Sequence, residues 1–223
     1  MVIIKAILFD AYGTLYDVHS VMKKCEEIYP TKGKQISQIW RQKQLDYVWI
    51  KSLMDKYTDF WSITKDALIY TLEELELRYD EELLEKILNE YLYLSPYPEV
   101  IEALDIFRPR KLAILSNGNI WMLNELAKNT TLNKYLDDII SVDAFKVYKP
   151  EPDAYRLAAQ RLGFNKEEIF FVSSNDWDVA GSKSYGFIAG WINRLNKPFD
   201  RFGIKPDYTD SDLKELAQKI KNK

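Results

Sequence analysis

Ile3-Ile4-Lys5-Ala6-Ile7-Leu8-Phe9 runs directly into Asp10-Ala11-Tyr12-Gly13-Thr14-Leu15. The first stretch is short, β-branched and almost uninterrupted in its apolarity. That is the pattern of a strand buried on both faces of a parallel sheet. A carboxylate at its C-terminal end lies where open α/β sheets bind ligands. Gly13 lets the chain turn tightly, and Thr14 sets a hydroxyl beside the acid. Read alone, Asp10 serves equally well as a turn cap. The rest of the chain decides between the two readings.

After Leu15 the period changes. From about Val18 to Leu94 the apolar residues keep helical spacing. Ile36, Ile39, Trp40, Tyr47, Ile50, Met54 and Tyr57 fall on one stripe of a long helix. Leu68, Leu72 and Leu75, then Leu83, Leu84, Ile87, Leu88 and Tyr91, mark at least two more. Ser95-Pro96-Tyr97-Pro98 ends this block. Strand-like runs return at 111–115, 138–142, 169–172 and 187–192. Helical patterns over 100–107, 121–128, 153–162 and 177–185 separate them. Strands alternating with helices imply a doubly wound parallel α/β sheet. Residues 1–16 and 96–223 then form the core domain, and 17–95 an inserted helical cap. A cap in that position covers the strand ends and excludes water from a cleft.

The bulk numbers exclude several classes. The 223 residues suffice for a core with a smaller insert; 47% are hydrophobic, 29% charged, and the formal net charge is −3. Nothing marks a nucleic-acid partner. The basic ending Lys219-Ile220-Lys221-Asn222-Lys223 reads as a solvated helix end. The single cysteine, Cys25, permits no disulfide within the chain, which fits a reducing, cytoplasmic setting. No apolar segment approaches the roughly 18–20 residues of a membrane helix. The opening residues do not read as a signal peptide, and no membrane partner is expected.

Polar residues gather just past the strand ends. Asp10 and Thr14 follow the first strand, and Ser116, Asn117 and Gly118 the second. Lys149 precedes Pro150 after the third, and Ser173, Ser174, Asn175, Asp176 and Asp178 follow the fourth. In a parallel sheet these positions converge on one edge. Asp10 with Gly13-Thr14, Ser116, Lys149-Pro150 and Ser173–Asp178 resemble, in order, the four motifs of the haloacid dehalogenase superfamily. The resemblance spans essentially the whole chain and implies a Rossmann-like core with an inserted cap. Most members are magnesium-dependent phosphatases with a D-x-D-G-T first motif. Here Tyr12 stands in place of the second acid, and Ser174-Asn175 in place of an acidic metal-binding pair. Phe9–Val18, Trp40-Arg41-Gln42-Lys43-Gln44-Leu45 and Val172–Asp178 are similar to the (S)-2-haloacid dehalogenases within that superfamily.

Chemistry accounts for Tyr12. A phosphatase needs the second acid to protonate an alkoxide leaving group, whereas halide leaves without a proton. A metal beside Asp10 would occupy the lone pairs needed for attack on carbon, so no metal or cofactor is expected. The resemblance implies that Asp10 displaces halide from a small 2-haloacid, forming an ester that water then hydrolyses. It implies that Lys149 holds Asp10 ionised and that Ser116 binds the substrate carboxylate. It further implies that Arg41, from the cap, and Asn117 cradle the halide, and that Ser173, Asn175 and Asp178 orient water, supported by Thr14 and Tyr155. Asp178 and Asn175 both stand as candidates to activate it. Tyr12, Gln42, Leu45, Phe60 and Trp177 are expected to wall the substrate pocket. His19, the single histidine, is expected at the surface. Trp49 lies on a different helical face from Tyr47, and members of the subfamily are commonly homodimers, so Trp49 is expected on a partner surface. A phosphatase acting on a small ester and a non-catalytic carboxylate binder are the alternatives.

Overall fold

The computed structural model describes residues 3–221. In chain order the elements are β1 (Ala6–Phe9), α1 (Met22–Ile28), α2 (Gly33–Leu53), α3 (Phe60–Glu74), α4 (Glu81–Leu88), α5 (Val100–Phe107), β2 (Lys111–Ser116), α6 (Ile120–Asn129), β3 (Asp138–Ser141), α7 (Pro152–Leu162), β4 (Ile169–Ser173), α8 (Asp176–Tyr185), β5 (Ile188–Ile192), β6 (Tyr208–Asp210) and α9 (Leu213–Ile220). The sheet order is β3-β2-β1-β4-β5-β6, and every pairing is parallel. The expected α/β architecture is therefore present.

β1 is central because its residues are apolar on both faces; all four are fully buried. Phe9 pairs with Ile114 on one side and Val172 on the other, so the ends of β1, β2 and β4 lie level. Gly13 turns the chain at φ +90°, a backbone conformation that a side chain would strain. The chain then passes into α1–α4 and returns at Ser95–Pro98. Outgoing and returning segments pair: Asp17 N donates to Ser95 O at 2.8 Å, and Tyr97 N to Leu15 O at 3.0 Å.

Helix α2 differs from the periodicity in two respects. It ends at Leu53, so Tyr57 lies beyond it. Its buried face passes through Ile36, Ser37, Trp40, Gln44 and Val48, while Ile50 and Met54 stand in solvent. Buried Gln44 is the cause. Its Nε2 donates to Thr64 Oγ1 at 2.7 Å, so a polar residue takes the interior position that the apolar count gave to others. Trp49 is half-buried and packs edge-to-face on Trp177 of α8 at 5.8 Å, while Tyr47 meets Tyr70 of α3. β6, only three residues long, carries no apolar run and was not expected. In the basic ending, Lys219 and Ile220 close α9 and Lys221 caps it; 222–223 lie outside the described residues. Among the described residues no helix is long and apolar enough to cross a membrane.

Candidate active site

Asp10 sits at the tip of β1, almost wholly buried, and the segments after β1, β3 and β4 aim donors at it. Lys149 Nζ donates to Asp10 Oδ1 at 2.8 Å. Oδ2 takes Asn175 Nδ2 at 2.8 Å, Thr14 Oγ1 at 3.0 Å and Ser173 Oγ at 3.4 Å. Thr14 is held in turn by Ser174, whose backbone N–H donates to Thr14 Oγ1 at 2.9 Å. Ser174 Oγ donates to the Gly13 carbonyl at 2.6 Å.

Lys149 is fully buried between two carboxylates. Beyond Asp10 it donates to Asp178 Oδ2 at 2.6 Å and to the Leu115 carbonyl at 2.9 Å. Burial alone would push its ammonium down; Asp10 and Asp178 outweigh that, and the net shift is upward. Burial pushes the Asp178 carboxyl up to about 6, with Lys149 opposing and Asp10 adding to the rise. Asp178 Oδ1 accepts from Tyr155 at 2.7 Å, and burial and Asp178 together hold that phenol protonated. Asp178 thus has both oxygens engaged and no exposed surface.

The loop after β2 is tied in by Asn117, whose Oδ1 accepts the Lys149 backbone N–H at 2.9 Å. Ser116 Oγ accepts from Gly118 N at 3.2 Å. Gly118 has no room for a side chain: a Cβ there would lie 2.8 Å from the Tyr12 hydroxyl. Tyr12 stacks on Phe60 at 5.3 Å, and among the described residues its buried hydroxyl has no hydrogen-bond partner. From α2, Arg41 donates through Nη1 to Gln44 Oε1 at 2.7 Å and reaches the Tyr12 carbonyl through Nη2 at 3.5 Å. Leu45 follows Arg41 by one turn and is half-buried.

The cation between Asp10 and Asp178 is the lysine itself. Asn175 points an amide donor, not an oxygen ligand, at Asp10. Among the described residues no three His, Cys, Asp or Glu side chains are placed to hold a metal ion. The donor set does not fit the magnesium site of the phosphatases, and no step here passes through a metal.

A haloacid dehalogenase-like hydrolase model matches residues 4–186. The chain belongs to that family of hydrolases. It is 48% identical to the haloacetate dehalogenase H-2 of Moraxella sp. (strain B), covering 92% of this chain and 93% of the relative. It is 42% identical to an (S)-2-haloacid dehalogenase of Pseudomonas putida, over 98% and 97%. The solved L-2-haloacid dehalogenase of Xanthobacter autotrophicus, with chloropropionic acid covalently bound, superposes with a TM-score of 0.95 at 40% identity, covering 99% of each chain.

In this haloacid dehalogenase-like hydrolase the convergence of Asp10, Thr14, Lys149, Ser173 and Asn175 is direct. Tyr155 and Asp178 sit one contact further out. Gln42 does not line the pocket: it is exposed and donates to Asp46 at 2.8 Å, because it lies a third of a turn from Arg41 on the helix. Gln44 is the glutamine that faces inward. Trp177 of α8 meets Trp49 of α2, where a cavity of about 750 Å³ reaches Lys149 past Leu53 and Phe202. His19 is exposed, its ring 2.8 Å from Ser37 Oγ.

Three contributors escaped the sequence reading. Gln44 braces Arg41; its signal was a polar residue spaced four from both Trp40 and Val48. Asn119 accepts the Trp61 backbone N–H at 2.9 Å and so ties α3 to the core; nothing in the chain marked it. Arg194 likewise carried no local signal.

Proposed function

We propose that this hydrolase removes halide from short L-2-haloalkanoic acids and yields D-2-hydroxy acids through an ester on Asp10. One observation carries the reading: a buried carboxylate at the tip of β1 faces a lysine and three neutral donors, with Tyr12, not an acid, two residues on. The covalently bound chloropropionic acid of the Xanthobacter autotrophicus enzyme agrees with it.

Asp10 Oδ2 is occupied by its donors, whereas Oδ1 carries only Lys149 and keeps a lone pair for attack. Oδ1 displaces halide from C2 in line; the C–X bond breaks and the halide leaves with its electron pair. Arg41 faces the charge that develops on it. Ser116 and the backbone N–H groups of its loop hold the substrate carboxylate, with Asn117 beside the halide. Water then attacks Cγ of Asp10: its oxygen bonds to Cγ, the bond from Cγ to the original oxygen breaks, one water proton passes to the departing hydroxy-acid oxygen and the other is released to solvent, leaving Asp10 ionised. Asp178, enclosed behind Lys149 with both oxygens engaged, anchors the lysine and does not meet this water. Ser173 and Asn175 are the groups that orient it. Leu45, Phe60, Tyr12 and Trp177 supply the apolar wall.

Residues 17–95 act as the cap over residues 1–16 and 96–223. The enzyme works in the cytoplasm as a homodimer, supported by the apolar end of α2, where Leu53 is 89% exposed.

The test is halide release from L-2-chloropropionate with chelator present and the D-enantiomer as control. Release from the L form alone, unaffected by chelator, is expected. Equal rates on both enantiomers, or loss of activity with chelator, overturns the proposal.

A further inference from the structure

Arg194, on the loop after β5, spans both strands of the cap connection. Its Nη1 donates to Glu99 at 2.5 Å and its Nη2 to the Thr14 carbonyl at 3.0 Å. The guanidinium lies over the Tyr97 ring, 3.8 Å from the centroid. Thr14 is on the outgoing strand; Tyr97 and Glu99 are on the returning one. Thr14 also gives its hydroxyl to Asp10 Oδ2. We propose that Arg194 is a positioning residue that clamps the two hinge strands of the cap and, through Thr14, fixes the direction of the Asp10 carboxylate.

The contacts demand a guanidinium. One planar group forks to a carboxylate and a carbonyl while stacking on an aromatic face; a lysine ammonium offers a point charge and no plane. The Arg194 and Glu99 side chains are each only 17% exposed, so the ion pair is sheltered from solvent screening. Two machinery residues depend on the same short segment. Thr14 touches Asp10, and the Tyr12 carbonyl receives Arg41. Loosening the segment shifts the attacking oxygen and the halide cradle together, and small misplacements of reacting atoms lower the chemical rate steeply. The loop proposed to hold the substrate carboxylate, Ser116–Gly118, is not part of the hinge. The loss therefore belongs in kcat and not in KM.

This rests on Asp10 being the nucleophile, so the test has one arm that does not need turnover. Amide hydrogen exchange of the full chain is compared between wild type, Arg194→Met and Arg194→Lys. The Asp17 and Tyr97 amides, which zip the hinge strands, are expected to exchange faster in Arg194→Met while the sheet amides keep their rates. In steady state on L-2-chloropropionate, kcat is expected to fall about tenfold, the scale of one lost charged hydrogen bond, with KM within about twofold. Arg194→Lys, measured the same way, keeps the Glu99 pair and is expected to recover stability more fully than kcat. Unchanged hinge exchange, exchange that quickens uniformly over the chain, or a kcat that simply follows the melting midpoint overturns the clamp. A wild type that releases no halide overturns the nucleophile reading instead, and the exchange arm still judges the clamp.

Discussion

Replacing Lys149 by Met tests the electrostatics of the site through stability as well as rate. In the native protein the ammonium separates two buried carboxylates, at 2.8 Å from Asp10 and 2.6 Å from Asp178, and also satisfies the Leu115 carbonyl. Methionine fills much of the volume but leaves both acids uncompensated. Removing one partner of a buried ion pair costs about 3–5 kcal/mol. Here the cost is pH-dependent. Asp178 already lies at about 6, above its unfolded value, so its ionisation works against folding as pH rises through that range. Without Lys149 the carboxyl moves higher, and below its new midpoint one proton bound only by the folded state offsets the loss. Each pH unit in that window is worth about 1.4 kcal/mol. Urea unfolding at pH 6 and pH 8 is therefore expected to show a destabilisation about 2–3 kcal/mol larger at pH 8, with halide release abolished at both. A penalty below about 1 kcal/mol that is the same at both pH values refutes the reasoning.

Arg41→Lys keeps the charge but loses the fork to Gln44 and the Tyr12 carbonyl; kcat/KM is expected to fall roughly 10- to 100-fold, read by halide release. The kcat profile of the wild type is expected to fall on acidification with a midpoint near the Asp178 value of about 6, because protonation removes one of the two counter-charges that place Lys149. A flat profile from pH 8 to 5 contradicts this. Tyr12→Phe removes a buried hydroxyl that has no partner and is expected to raise stability by about 1 kcal/mol in urea unfolding; a loss of that size means the hydroxyl is bonded in solution.

The core was legible because parallel strands buried on both faces are written as apolar runs, and the residues after them must share an edge. Asp10, Lys149, Ser173 and Asn175 meet for that reason. The helices of residues 17–95 were legible in period but not in facing. Gln44 occupies a core position with its polarity satisfied by Thr64 and Arg41, and a count of apolar residues passes over it. The family resemblance put Gln42 in the pocket, and the helical angle of Trp49 set it apart from Tyr47. Gln42 faces solvent, and Trp49 meets Trp177, which is 128 positions further along the chain. Asn119 and Arg194 act on carbonyls and amides distant in sequence, a function that leaves no local pattern.

The central claim is that an oxygen of Asp10 becomes bonded to carbon and departs with the product. A single turnover of L-2-chloropropionate in ¹⁸O-water, followed by mass analysis of the hydroxy acid and of the Asp10 peptide, tests it directly. Label in Asp10 and none in the hydroxy acid is the expected result. Label in the hydroxy acid with an unlabelled Asp10 contradicts it and assigns the attack on C2 to water.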